Sequence, residues 1–188
     1  MVRTAKTKTT ALVLTLICLT ISVLTSVLDG FPIENFGICK GSSILARLAY
    51  SFFHASIPHA LINCWCLLSI VFIYDISISS LIIAYITAVT FPIDTIAATV
   101  PHASAWGVPT VGLSAVCFSL LGQVAFQVRR KRLFHTWVLS FIAIGFILPP
   151  LCSVCGYAIA TPNNLLHIYC YVAGLLVGFL NSPAHERK

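Results

Sequence analysis

The chain has 188 residues, of which 59% are hydrophobic and 9% charged, with a formal net charge of +6 and a mean hydropathy of +0.98. A soluble domain carries about a quarter charged residues, so this composition excludes an ordinary soluble enzyme, a nucleic-acid-binding domain and a disordered tail. What remains is one all-α integral membrane domain, because a helix that crosses the hydrocarbon takes about 20 apolar residues.

In chain order, six apolar stretches are predicted as spans: 11–28, 57–74, 76–93, 108–128, 134–157 and 165–180. They define a membrane domain over residues 11–182, with short tails at 1–10 and 183–188. The first stretch has a basic start but no small-x-small cleavage pattern after Leu28, so it reads as a retained helix rather than a signal peptide. Between the first two spans, Ser43 to Phe53 is too apolar for a free loop and is predicted as a short interfacial helix. The second and third spans are separated by little more than Asp75 and form a tight hairpin.

The basic residues set the orientation. Arg3, Lys6 and Lys8, then Arg129, Arg130, Lys131 and Arg132, then Arg187 and Lys188 all fall on one side of a six-span chain, leaving Lys40 and Arg47 on the other. The positive-inside rule puts both termini in the cytoplasm, and the expected location is an inner, bacterial-type cell membrane. The basic run is read as a topology signal, with no nucleic-acid partner. Cys18, Cys64, Cys66, Cys117 and Cys170 lie inside apolar stretches as small hydrophobes, while Cys39, Cys152 and Cys155 belong to the outer side and could pair only in an oxidising compartment. One C-x-x-C is too few ligands for a metal site, so no metal or cofactor is expected.

Polar side chains inside a bilayer are costly and point to function. His59 and Asn63 lie four apart at the start of span two, on one helical face and shortly after His54. Ser114 follows Gly112 in span four, and His167 lies near the start of span six, ahead of Cys170, Gly174 and Gly178. Each has a bland reading by itself: helix back-bonding for the serine, interface placement for a histidine, close packing for the glycines. Together they supply a nucleophile, a base and two donors, the parts needed for acyl transfer. Counting back from Arg129 and Asn181 puts Ser114 and His167 at a common depth, roughly 21–22 Å above the inner hydrocarbon boundary.

On these residues the chain resembles the rhomboid family of intramembrane serine proteases over about residues 44–180. His54, His59 and Asn63 match its H-x4-H-x3-N motif. Gly112, Ser114 and Gly122 match its serine motif, with Ala115 where a glycine is usual. His167, Cys170 and Gly174 match the last motif. In an alternative register Tyr171 takes the histidine position ahead of Gly174 and Gly178, giving a pseudoprotease. The common depth favours His167.

The resemblance implies a six-helix rhomboid-like bundle in which Ser114 is the nucleophile, His167 the base, and His59 and Asn63 oxyanion donors. It implies supporting roles for Gly112, His54, Cys170, Gly174 and Phe118, the last facing the imidazole. Arg47 and His54 are expected to hold the outer loop, and His102 to be structural or interfacial. The implied partners are the lipid bilayer and a transmembrane protein, cut as substrate or bound as client. A transporter is the remaining rival, weakened because the sequence has neither inverted repeats nor an acid at mid-membrane depth.

Overall fold

The structure, a computed structural model, describes residues 2–99, 108–154 and 163–182. His102, Cys155, Arg187 and Lys188 lie outside the described residues, as do the side chains of Arg3 and Cys152, and with them the expectations that concern them. Among the described residues the regular structure is helical, apart from one isolated antiparallel bridge between Ile38 and Thr110.

Helix α1 (Val2–Val27) begins well before the predicted Ala11. Ala5, Lys6 and Lys8 are good helix formers, and the Thr9 and Thr10 hydroxyls donate back to the carbonyls of Ala5 and Lys6. Its buried residues Ala11, Thr15, Cys18 and Ser22 recur every three or four positions and face α3 (Ile57–Ile73), whose Cys64 thiol donates to the Thr15 carbonyl. The Lys8 ammonium lies 5.0 Å from the Phe72 ring, so the start of α1 meets the end of α3 and the two are antiparallel. Ser56 caps α3 by accepting from the His59 N–H, and Ser77 caps α4 (Ile78–Val89) in the same way, completing the predicted hairpin around Asp75.

The third stretch is not one helix. It breaks at Thr90–Phe91–Pro92 and resumes as α5 (Ile93–Thr99), because Pro92 disfavours helical geometry at Phe91 and supplies no N–H. The Phe91 carbonyl is bound instead by the Arg47 guanidinium at 3.1 Å. Arg47 belongs to α2 (Ile44–Ala49), the helix expected at the interface, shorter than predicted and capped by Ser43. It also pairs with Asp94, whose other oxygen accepts from the Gly41 N–H at 2.7 Å. Stacked rings of Phe31, Phe36 and Phe53 close the loop between α1 and α3, and Arg47 ties that loop to Phe91 and to Asp94, the partner sequence reasoning missed.

Helix α6 (Ser114–Val124) is the innermost element, with both polar and apolar side chains buried, packed against α3, α4 and α8 (Asn164–Asn181). Helix α7 (Lys131–Val154) is the most exposed of the long helices; Val138 and Ile142 are its buried apolar residues. Among the described residues, four apolar helical segments reach membrane-crossing length: Ala5–Val27, Ile78–Thr99, Lys131–Leu148 and Asn164–Asn181. Against the predicted six, α3 and α6 are apolar but shorter, and these two carry much of the candidate site.

Candidate active site

The predicted fourth span starts at residue 108, but the helix starts at Ser114 itself. The preceding segment cannot be helical. Thr110 is paired to Ile38 in both directions, the Gly112 N–H donates to the Tyr50 carbonyl at 2.9 Å, and Gly112 has φ +125°, a region that L side chains rarely adopt. As the first helical residue, Ser114 has a backbone N–H with no intrahelical acceptor, at the positive end of the α6 dipole. The N–H one residue earlier, on Leu113, donates to His54 Nε2 at 3.3 Å. His54 is fully buried, and burial together with the neighbouring His59 ring holds its pKa down to about 4, so it is a neutral acceptor at pH 7 with its proton on Nδ1.

Ser114 Oγ lies 2.8 Å from His167 Nε2. His167 is buried in the first turns of α8, and the Phe118 ring, one turn along α6, stacks on its imidazole at 4.4 Å between centroids and 21° between planes. No described acid touches this imidazole: the one ion pair of an acid among the described residues is Asp94 with Arg47. On the other side of Ser114, a Cβ built on Gly112 would fall 2.9 Å from His59 Cε1 and 3.1 Å from Asn63 Nδ2, so both side chains crowd the glycine next to the serine. The buried Asn63 Nδ2 makes no hydrogen bond among the described residues, and the His59 ring meets that of His54 edge-on at 5.2 Å. The structure thus gathers Ser114, His167, His59, Asn63, Gly112, Phe118 and His54 into one cluster between α3, α6 and α8.

The close approach of α6 and α8 sets the serine–histidine distance. A Cβ on Gly174 would run into the Ser119 carbonyl, one on Gly122 into the Tyr171 carbonyl, and one on Gly178 would come within 2.5 Å of the Gln123 carbonyl oxygen. Cys170, fully buried, fills the space on α8 between His167 and Gly174. The expected depth agreement holds at the side chains, although the count behind it ran through residues beyond Val124 that are not helical. Tyr171 faces elsewhere: its hydroxyl is 2.6 Å from His135 Nδ1 on α7. His135 and Tyr50 carried no sequence signal; each acts through a contact between distant segments.

The profile of the rhomboid domain matches residues 41–184, more than half of the chain. The chain belongs to the rhomboid family. The match covers every helix of this rhomboid that contributes to the cluster, from α2 through α8, and leaves α1 outside it. No curated protein and no solved structure matches the chain.

Proposed function

We propose that this rhomboid is an intramembrane serine endopeptidase that cuts transmembrane segments of other membrane proteins. The observation that carries the reading is the 2.8 Å contact between Ser114 Oγ and His167 Nε2 inside an apolar bundle. In the reaction His167 takes the Ser114 proton as Oγ attacks the scissile carbonyl, and the imidazolium then protonates the leaving amine. His167, neutral again, takes a proton from the water that attacks the acyl-enzyme; as the ester bond to Oγ breaks, the imidazolium returns a proton to Ser114 and the new acid leaves.

No carboxylate is assigned to orient the imidazole; the stacked Phe118 ring limits its rotation instead. The tetrahedral oxyanion is stabilised by the Ser114 N–H at the α6 N-terminus and by His59 and Asn63, whose side chains already converge beside Gly112. A substrate helix must unwind before its peptide bonds can reach the dyad, so Gly or Pro near the cut assists cleavage. The chain crosses the membrane six times in this reading, α3 and α6 completing the set of long apolar helices, with both termini cytoplasmic and the dyad toward the outer face.

A fluorophosphonate probe on the purified protein in detergent tests the proposal without a known substrate. Wild type is expected to label, and Ser114→Ala and His167→Ala to lose labelling. Folded wild type that fails to label would make this rhomboid a client-binding pseudoprotease.

A further inference from the structure

Four thiols that the proposed reaction does not use lie inside the bundle: Cys18 on α1, Cys64 and Cys66 on α3, and Cys117 on α6. They fall into two pairs. The Cys64 thiol donates to the Thr15 carbonyl at 3.9 Å, one turn before Cys18, and the Cys18 and Cys64 thiols are hydrogen-bonded to each other. On the other side of α3, the Cys117 thiol donates to the Asn63 carbonyl at 3.6 Å, one turn before Cys66, and these two thiols are hydrogen-bonded likewise. A helical side chain leans back over the turn that precedes it, so each visiting sulfur comes to rest beside the resident one. Cys64 and Cys66 stand about 200° apart around α3, which therefore shows one sulfur to α1 and the other to α6.

The pairs differ in access. Cys18, Cys64 and Cys117 are all buried, whereas Cys66 is partly exposed. It lies one turn from Ile62 and next to Trp65, which are exposed at 62% and 77%. That apolar face of α3 meets lipid when the chain is in a bilayer, so a reagent that reaches the Cys66 sulfur is lipid-soluble. One sulfur at the lipid edge and one sealed behind it is the arrangement of an attacking thiol and its resolving partner.

We propose that Cys66 and Cys117 are an oxidisable pair, which an organic hydroperoxide such as an oxidised acyl chain converts into a disulfide between α3 and α6. The Cys66 sulfur attacks the terminal peroxide oxygen; the O–O bond breaks, the thiol proton passes to the leaving alkoxide, and Cys66 becomes a sulfenic acid beside an alcohol. The Cys117 sulfur then attacks the Cys66 sulfur; the S–O bond breaks, hydroxide leaves with the Cys117 proton as water, and the disulfide closes. Two electrons pass from the thiols to the hydroperoxide. The new bond ties the helix that carries His59 and Asn63 to the helix that begins at Ser114, and it removes the S–H that the Asn63 carbonyl accepts. The proposal is independent of proteolysis and holds equally for an inactive protein.

The test treats the full chain in phosphatidylcholine nanodiscs with cumene hydroperoxide, alkylates the remaining thiols in denaturant and maps the peptides by mass spectrometry. Wild type is expected to lose the Cys66 and Cys117 thiols together, to one cross-linked peptide pair that a reductant separates, while Cys18 and Cys64 remain alkylated. Cys117→Ser should leave Cys66 as a sulfenic acid that dimedone traps, and Cys66→Ser should leave Cys117 a free thiol. The wild-type cross-link decides the question even where a serine variant does not fold. Cys66 that survives the peroxide unchanged overturns the proposal, as does Cys66 that is oxidised without linkage to Cys117. Linkage of Cys18 to Cys64 at the same rate also overturns it, because access would then not select the pair.

Discussion

Gly174 rests directly on the carbonyl of Ser119, so α6 and α8 meet main chain to main chain below the dyad. A side chain at this point must push the helices apart, and the serine–histidine contact lies on the far side of the same crossing. Gly174→Val is therefore expected to lower stability by about 1–3 kcal/mol, the usual cost of overpacking. It should also abolish fluorophosphonate labelling in whatever protein remains folded. Thermal unfolding in detergent beside the labelling assay checks both, and full labelling in a folded Gly174→Val protein would mean the crossing does not set the dyad.

Gly112 answers for the other side of the site. Its φ of +125° costs an L residue roughly 1–3 kcal/mol of backbone strain. A Cβ there also lands within about 3 Å of His59 and Asn63. Gly112→Ala should displace the donors and lower the labelling rate by about 10²–10³, the loss typical of one missing oxyanion donor. Asn63→Ala, which leaves the backbone alone, should give a loss of similar size with little change in stability. A labelling time course separates the two effects.

Tyr171 is engaged with His135 rather than with the serine. Tyr171→Phe removes that hydroxyl and keeps the ring, so labelling should persist near the wild-type rate, while the lost hydrogen bond costs about 1 kcal/mol of stability. Labelling lost in Tyr171→Phe but kept in His167→Ala would reverse the assignment of the base.

His54 predicts a pH dependence. Burial and the His59 ring lower its pKa from 6.5 in an ordinary setting to about 4 in the fold. Between these values the unfolded chain takes up a proton that the folded chain refuses, so stability falls as pH drops from about 6.5 to about 4. The full difference is of order 3 kcal/mol at about 1.4 kcal/mol per pH unit. His54→Gln keeps an acceptor for the Leu113 N–H and has nothing to titrate, so its unfolding curve should be flatter over this window. An unchanged slope would assign the acid sensitivity to other groups.

The apolar runs and the spacing of His59 and Asn63 were legible because each depends on helical periodicity within one stretch, whereas Ser114 and His167 were linked by counting depth along two separate stretches. The helix boundaries were less so. A hydropathy window passes through Pro92 and through residues 108–113 without a change of sign, yet a proline and a bridge to Ile38 break the helix at those places. The apolar count thus makes α6 longer than its eleven helical residues. What could not be read at all was pairwise and distant: Asp94 with Arg47, Tyr171 with His135, the Tyr50 carbonyl with Gly112. Nothing local marks a residue whose partner is chosen by the tertiary fold.

Ser114 and His167 are 53 residues apart, and α8 is the last helix of the described chain. A nascent chain that has delivered α1 to α7 holds Ser114, His59 and Asn63 but lacks His167, the base of the proposed reaction. Because α8 also supplies the surface on which α6 packs, the same insertion event completes the bundle and, on the proposed mechanism, arms the serine. On that mechanism, ribosomes that stall or fall off early would release only inert protein into the membrane.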